Sequence, residues 1–210
     1  MKSENFKKFN IDEQFEISVK EASELFFAGK IFIYPTDTIY GIGGNPFNEQ
    51  SVKRINHAKG RDTNKRFIWL VNNMNILLSY VEINYESHLD FLRSIFPAPI
   101  TVILNLNART KKIVGSDSAA FRVPDNQFCN KLLTEIGFPL ISTSVNRSGK
   151  SALNDYVEIE QEFSNDIDAL FYSKTKNIPL ASTIIDLKNR KPVLIREGAI
   201  KFVDLLNKFN

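Results

Sequence analysis

Short apolar segments of strand type alternate with segments of helix type along most of the chain, and this alternation constrains the fold more than any other feature. Ile31–Tyr34, Ile100–Leu106 and Leu140–Thr143 are apolar runs, each followed by a proline or a polar residue. Between such runs, segments like Glu13–Ala28 repeat apolar residues at helical spacing. Strands that alternate with helices are typical of α/β proteins, and closely spaced late strands favour a mixed parallel and antiparallel sheet.

The same patterns predict bounds for the individual elements. The predicted helices are Glu13–Ala28, Ser51–Ala58, Glu86–Phe96, Asp125–Gly137, Asp155–Phe163 and Phe202–Phe209. The predicted strands are Ile31–Tyr34, Ile39–Ile42, Phe67–Val71, Ile100–Leu106, Ala119–Val123, Leu140–Thr143, Ala169–Tyr172, Thr183–Leu187 and Val193–Ile195. With 210 residues and no linker-like segment, we expect one domain over residues 1–210, its core covering residues 13–200. Helices should flank a twisted sheet.

Cysteine, histidine and hydropathy exclude several classes of protein. The single cysteine, Cys129, cannot form an internal disulfide and is expected in the core of a helix. With only two histidines, a Cys/His zinc site and a histidine-based triad are both disfavoured. No apolar run reaches the length of a membrane span, and the N-terminus lacks the pattern of a signal peptide. We therefore expect a cytoplasmic protein without a membrane partner.

Charge is distributed unevenly along the chain, whose net charge is +3. Residues 49–66 hold six Lys or Arg against two acids, whereas residues 155–168 hold six acids and no Lys or Arg. Smaller basic groups are Arg109 with Lys111 and Lys112, Arg147 with Lys150, and Lys188 with Arg190 and Lys191. These runs fit either ordinary solvated faces or a basic surface for a polyanion, with the acidic helix facing elsewhere.

Known phosphate-binding loops are missing, so a nucleotide would need a different cradle. The sequence has no G-x-x-x-x-G-K-[ST] loop, and the glycines of residues 41–44 lack the spacing and helix start of a dinucleotide site. Instead, four polar clusters lie where predicted strands or helices end. Strand ends are the usual place of ligand sites in α/β sheets.

The first cluster offers two hydroxyls and a carboxylate, and the second offers a pair of cations. Thr36, Asp37 and Thr38 follow the strand that stops at Pro35; they fit either a substrate pocket or a self-capped turn. Lys59 and Arg61 flank the helix-breaking Gly60. They fit either a clamp for a triphosphate or cations favoured by the C-terminal end of a helix dipole.

The other two clusters offer hydroxyls and arginines. Residues 142–149 contain four hydroxyl side chains and the amide Asn146, which suits phosphate or ribose oxygens but also a capped turn. Arg122 and Arg196 each lie at or near the end of an apolar strand. Arginines in such places need an acidic partner, either from the fold or from the anion of a ligand.

In this order along the chain, the clusters resemble the YrdC-like family of threonylcarbamoyl-AMP synthases. The resemblance covers Glu13–Ile200, nearly the whole chain. Its motifs are Tyr34–Gly41, Lys59–Arg61 with Asn64–Lys65, Pro97–Thr101, Phe121–Asp125, Ser142–Gly149, Ser182–Asp186 and Arg196–Ile200. It implies a curved α/β domain with a concave basic face, in the short single-domain form of the family.

The resemblance also implies a reaction and a set of site residues. The reaction joins L-threonine, bicarbonate or carbon dioxide, and ATP with Mg²⁺ into L-threonylcarbamoyladenylate and diphosphate. The product then serves threonylcarbamoyl-transfer proteins that modify tRNA, and weak binding of tRNA or double-stranded RNA is expected. Threonine would meet Thr36, Arg122, Ser142 and Ser182. The nucleotide would meet Lys59, Arg61, Ser144, Asn146 and Arg196, with Lys59 and Arg61 as the catalytic cations.

Such a reaction needs no protein nucleophile, because catalysis would rest on positioning and on charge stabilisation. The chain departs from the family pattern at Ala98, often Gly, at Arg66 and Glu197, often Pro, and at Val145, often Ala. Glu197 beside Arg196 is expected to weaken the contact of that arginine with ATP. Two alternatives remain: an RNA-binding module of the same fold with an idle cleft, and a nucleotidyltransferase that uses another amine.

Overall fold

The computed structural model describes residues 6–61, 67–175 and 180–209. The strands in these residues are β1 (Lys7–Asn10), β2 (Phe32–Tyr34), β3 (Gly41–Gly43), β4 (Ile68–Leu70), β5 (Ile100–Asn105), β6 (Ser118–Arg122), β7 (Leu140–Ser144), β8 (Ala169–Tyr172), β9 (Thr183–Asp186) and β10 (Val193–Arg196). The helices are α1 (Phe15–Phe27), α2 (Glu49–Lys59), α3 (Met74–Leu78), α4 (Glu86–Ile95), α5 (Ala108–Val114), α6 (Gln127–Ile136), α7 (Tyr156–Phe163) and α8 (Phe202–Phe209).

These strands form one mixed sheet in the order β1-β8-β2-β3-β7-β4-β6-β5-β9-β10. The neighbours β1/β8, β8/β2, β4/β6 and β5/β9 are parallel, and the other neighbouring pairs are antiparallel. The predicted α/β class with a mixed sheet is therefore confirmed. The register places Ser142 opposite Ile68 and Arg122 opposite Leu70, so polar residues flank β4 on both sides.

Helices cover both faces of the sheet, and the alternation of side chains along β2 shows why. Phe32 and Tyr34 belong to one core cluster with residues of α1 and α6, whereas Ile31 and Ile33 belong to another with residues of α2 and α7. All four side chains are fully buried. Successive residues of a strand point to opposite faces, so a strand covered on both faces is apolar at every position. The flanking helices that the sequence predicts are thus confirmed.

Cys129 lies in α6 and is fully buried in the cluster with α1, as the sequence predicts. Burial raises the pKa of its thiol well above the ordinary value, so the side chain stays neutral in the core. None of the helices in the described part of the chain is both long and apolar enough to cross a bilayer.

Every predicted helix and strand is present, with ends shifted by at most three residues, but three elements escaped prediction. Strand β1 carries two lysines in four residues and pairs only with β8 at the edge of the sheet. Helices α3 and α5 have five and seven residues, too few for a clear helical repeat. The asparagine before each of them, Asn73 or Asn107, accepts a backbone N–H bond and caps the helix.

The basic and acidic segments pack against each other, so the expectation that the acidic helix faces elsewhere is wrong. Arg54 of α2 donates to the carboxylate of Asp168 over 2.6 Å. Arg147 reaches Glu162 at 2.7 Å and Asp166 at 2.8 Å. The fold thus joins opposite charges on segments far apart in sequence, and Arg54 of the basic run and Arg147 are the cations that meet the acidic segment. Lys65 and Arg66 lie outside the described residues.

Candidate active site

A cavity of about 190 Å³ opens between the central strands and the segments that follow them. Its lining includes Thr38, Ile39, Tyr40, Ile68, Arg122, Ser142, Thr143, Ser144, Ala181, Ser182, Ile184 and Arg196. A neighbouring cavity of about 280 Å³ shares Thr38, Ile39 and Tyr40 with it and also includes Thr36. The structure therefore brings Arg122, Ser142, Ser144, Ser182 and Arg196 together and places Thr36 next to them.

Arg122 is the last residue of β6 and is only 3% exposed. Its neighbour Phe121 points into the core, so alternation along the strand sends the guanidinium to the opposite face. Nη1 donates to the Thr38 hydroxyl at 2.9 Å, and Nη2 donates to the Thr36 hydroxyl at 3.3 Å. Nη2 also forms an ion pair with the carboxylate of Asp37. Two acidic partners were considered for this arginine, a carboxylate of the fold and the anion of a ligand. The structure shows the first, Asp37.

The segment from Thr36 to Tyr40 forms a turn that holds itself together. The Thr36 hydroxyl donates to the carbonyl of Ile39 at 2.8 Å and accepts from the backbone N–H of Thr38 at 3.1 Å. The turn leads into β3, whose Gly41 has no room for a side chain: a Cβ there would lie 2.7 Å from the Ser142 hydroxyl. The segment is therefore a self-capped turn and also lies beside the cavity.

Arg196 also lines the cavity and comes from β10, which β5 and β9 separate from the β6 of Arg122. Its Nη2 donates to the backbone carbonyl of Ser182 at 2.8 Å, and the Ser182 hydroxyl is 2.9 Å from that of Thr101. Partial burial lowers the pKa of Arg196, and no acid of the described residues pairs with it. Glu197 instead accepts the backbone N–H of Phe202, at the start of α8, over 2.9 Å. Glu197 thus forms no ion pair with Arg196.

Lys59 is buried, although lysines at helix ends are usually exposed to solvent. Its side chain lies at the C-terminus of α2, and the residue is 3% exposed. Nζ donates to the Ser144 carbonyl at 2.5 Å, to the Asn146 carbonyl at 3.0 Å and to Asn146 Oδ1 at 2.9 Å. An ammonium has three N–H donors. All three thus reach the loop after β7, so Lys59 and Asn146 hold the cavity wall from behind.

Arg61 follows Gly60, which ends α2 in the left-handed conformation with φ of 57°. Its Nε donates to Asn56 Oδ1 at 3.0 Å, and its guanidinium carbon lies 4.3 Å from the centre of the Phe67 ring. Partial burial lowers the pKa of this arginine. Arg61 does not line the cavity, so the structure separates it from the arginines that do.

Tyr40, which lines the cavity, and Thr101, which supports Ser182, were not singled out from the sequence, whereas Asp37 and Thr38 were pocket candidates without an assigned ligand. All four lie inside motifs that carry the family resemblance, so their place in these motifs was the sequence feature that could have marked them as site residues. Among residues 6–61, 67–175 and 180–209, no three His, Cys, Asp or Glu side chains cluster in a way that could hold a metal ion.

A mixed α/β sheet with a hydroxyl-lined cavity and two arginines at its strand ends defines a protein built to bind a small anionic molecule. Comparison with known proteins gives the family. Residues 24–198 match the family model Sua5_yciO_yrdC, which carries the description "Telomere recombination". The chain belongs to this Sua5/YciO/YrdC family.

Among curated relatives, a threonylcarbamoyl-AMP synthase of Pyrococcus abyssi is 28% identical over 200 residues, which are 93% of this chain and 58% of that protein. A threonylcarbamoyl-AMP synthase of Pseudomonas fluorescens is 30% identical over 177 residues, covering 83% of this chain and 95% of the relative. The chain thus spans less than two thirds of the first relative and nearly all of the second.

Solved structures agree with the family. The crystal structure of P. abyssi Sua5 complexed with L-threonine has a TM-score of 0.85 at 26% identity, covering 97% of this chain and 59% of that one. Escherichia coli YciO has a TM-score of 0.82 and covers both chains completely, but at 21% identity this likeness shows the fold alone.

Proposed function

We propose that the chain is a threonylcarbamoyl-AMP synthase, which forms L-threonylcarbamoyladenylate and diphosphate from L-threonine, bicarbonate or carbon dioxide, and ATP. The observation that carries the proposal is the hydroxyl-lined cavity to which β6 contributes Arg122 and β10 contributes Arg196, with β5 and β9 between these two strands. The side of Arg122 suits a carboxylate and the side of Arg196 a phosphate, which are the two anionic groups of this product. Relatives that carry the name of this enzyme support the same function.

The side of Arg122 suits the amino acid. Arginine carries five N–H donors, and the described contacts of Arg122 use three of them. Of the two donors left, Nε is buried, so the second N–H of Nη1, together with the hydroxyls of Ser142 and Ser182, would bind the carboxylate and hydroxyl of threonine. Thr36 would contribute by holding the guanidinium from the neighbouring cavity rather than by facing the same space.

The side of Arg196 suits the nucleotide. A cation without an acidic partner attracts phosphate, and Arg196 is in this state within the described residues. Ser144 supplies a hydroxyl at the wall, while Lys59 and Asn146 fix the loop that carries it. The charge of Lys59 still lowers the energy of an anion in front of the loop, and Arg61 would extend this positive field towards the leaving diphosphate.

The chemistry needs no nucleophile from the chain. The amine of threonine adds to carbon dioxide and loses a proton, which gives a carbamate. A carbamate oxygen then forms a bond to the α-phosphorus of ATP as the bond to the bridging oxygen breaks and diphosphate leaves. The protein contributes orientation and positive charge in a partly dry cavity. Mg²⁺ bound to ATP would supply further charge.

The product would pass to threonylcarbamoyl-transfer proteins that modify tRNA, in the cytoplasm. Within the proposal, the chain acts as a single domain over residues 1–210 and touches tRNA or double-stranded RNA only weakly. The ion pairs of Lys53 with Glu49 and of Arg54 with Asp168 support weak binding, because they compete with phosphate for these cations.

The proposal is tested by incubating the protein with ATP, Mg²⁺, bicarbonate and threonine and following diphosphate. Release should require both threonine and bicarbonate, and the adenylate should be visible by mass spectrometry. Release with another amine but not with threonine would favour the alternative nucleotidyltransferase. A protein that retains tRNA but releases no diphosphate would be an RNA-binding module.

A further inference from the structure

Asp37 is not among the residues assigned to threonine or to the nucleotide, yet its carboxylate is 8% exposed and forms an ion pair with the buried guanidinium of Arg122. It does not line the cavity itself; it lies behind the arginine that does. Asp37 Oδ2 and Arg122 Nε are buried without a hydrogen-bond partner in the described residues. A buried acid with one free oxygen is costly to keep, so its charge needs an explanation beyond packing.

The two arginines of the cavity differ in their electrostatic surroundings. Arg122 is compensated by Asp37, whereas no acid of the described chain pairs with Arg196. The side of Arg122 is therefore close to neutral and the side of Arg196 is cationic. A neutral side still offers directed N–H donors to a carboxylate, but it does not repel a positive group bound nearby.

We propose that Asp37 determines which ligand the cavity prefers at Arg122. Asp37 offsets the charge of Arg122, so this part of the cavity binds an amino acid, which carries an ammonium next to its carboxylate, more tightly than the same acid without the amine. The inference rests on the proposed function, since threonine is the amino acid in question. A monoanion would gain more than a zwitterion from an uncompensated arginine, because the ammonium of the zwitterion is repelled. Asp37 acts through Arg122 and does not touch the substrate.

The test compares L-threonine with 3-hydroxybutyrate, which has the same carboxylate and hydroxyl but lacks the amine. Calorimetry gives both dissociation constants for the wild-type chain and for Asp37→Asn, a change that removes the charge and keeps an oxygen for Arg122. The wild-type protein should bind threonine at least tenfold more tightly. In Asp37→Asn this preference should fall by about tenfold, the effect of a partly screened unit charge a few ångströms away.

Asp168→Asn is the matched control, because Asp168 also pairs with an arginine, Arg54, but away from the cavity. Its preference should match the wild-type value. A purely structural role for Asp37 would weaken both ligands in parallel and leave their ratio unchanged, which would overturn the inference. If Asp37→Asn fails to fold, the ratio of the two dissociation constants in the wild-type protein still tests the inference. Equal binding of threonine and 3-hydroxybutyrate would overturn it.

Calorimetry requires no turnover, so the two proposals fail separately. Threonine-dependent diphosphate release with an unchanged ratio in Asp37→Asn would leave the synthase in place and reject the role of Asp37. Threonine binding with the expected change of ratio, but without diphosphate release, would support Asp37 and reject the synthase.

Discussion

Arg122 and Lys59 are both 3% exposed, yet these two cations meet different partners. Arg122 contacts two hydroxyls and one carboxylate and also lines the cavity. Lys59 directs its donors at carbonyl and amide oxygens of one loop. A planar fork suits a substrate carboxylate, whereas a compact ammonium suits a cage of oxygens, so the residue types are not interchangeable here.

Replacing Arg122 by Lys should raise the threonine KM by about 10- to 100-fold, because one or two charge-assisted hydrogen bonds are lost. The ATP KM should stay within about threefold, since the proposed function assigns the nucleotide to Arg196 and not to Arg122. Steady-state diphosphate release at varied threonine and ATP gives both constants. Arg54→Lys, which alters an ion pair outside the cavity, is the control. Equal changes in both constants would mean that Arg122 supports the fold or the phosphates.

Replacing Lys59 by Ala should damage both stability and activity, and burial is the reason. The change leaves three oxygens of the loop without their donor, which should cost about 1–3 kcal/mol of unfolding free energy. Loss of the nearby charge should slow adenylate formation by about 30- to 1000-fold. Denaturant unfolding and initial rates measure the two effects. A fully stable, inactive variant would instead assign Lys59 to direct contact with phosphate.

At the scale of elements, the segment that follows β10 decides where Arg196 points. Gly198 donates its N–H to the Thr183 hydroxyl at 3.0 Å, and Ala199 donates to the Ala181 carbonyl at 2.8 Å. A Cβ on Gly198 would lie 2.2 Å from that same carbonyl oxygen. The backbone after β10 can therefore pack against residues 181–183 only because position 198 has no side chain.

Replacing Gly198 by Ala should force this segment away from Ser182 and move Arg196 with it. We expect a loss of about 1–3 kcal/mol in unfolding free energy from the overpacking, with a larger rise in the ATP KM than in the threonine KM. Thermal unfolding and substrate titrations provide the measurements. Gly115→Ala is a suitable control, because Gly115 has φ of 65° but open space around it. That variant should be strained yet keep both Michaelis constants, and a similar shift in the two variants would contradict the argument.

At the scale of the whole molecule, pairing between distant segments shapes the surface charge. The net charge is only +3, and cations of α2 and of the loop after β7 meet acids from residues 162–168. The surface is therefore less positively charged than the basic run in the sequence suggests. A polyanion would meet partly neutralised cations and would gain little from each.

Binding of tRNA should accordingly be weak and should fall steeply between low and physiological salt, because each phosphate contact releases counterions. Lys53, Arg54, Lys65 and Arg66 are the residues expected to contribute. Filter binding across a salt series, with Lys53→Ala and Lys65→Ala against the wild type, measures the slope. A dissociation constant that does not change with salt would leave these residues as solvated charges.

The sequence by itself determined the class of fold, because apolar runs at period two and at period 3.6 report which faces are buried. It also determined the candidate residues at the strand ends, since Thr36, Arg122 and Ser142 are polar where apolar runs stop. Short elements such as β1 and α3 could not be predicted in this way, because their few residues show no clear hydrophobic repeat.

Only the tertiary structure decided which of these residues share a space and what each one contacts. Arg122 meets Asp37, 85 positions away, and Lys59 meets Asn146 across 87 positions. Contacts at such separation depend on the order of strands in the sheet, which local periodicity does not encode. The burial of Lys59 and the pairing of acidic with basic segments followed from that order, and no composition or spacing along the chain could have shown them.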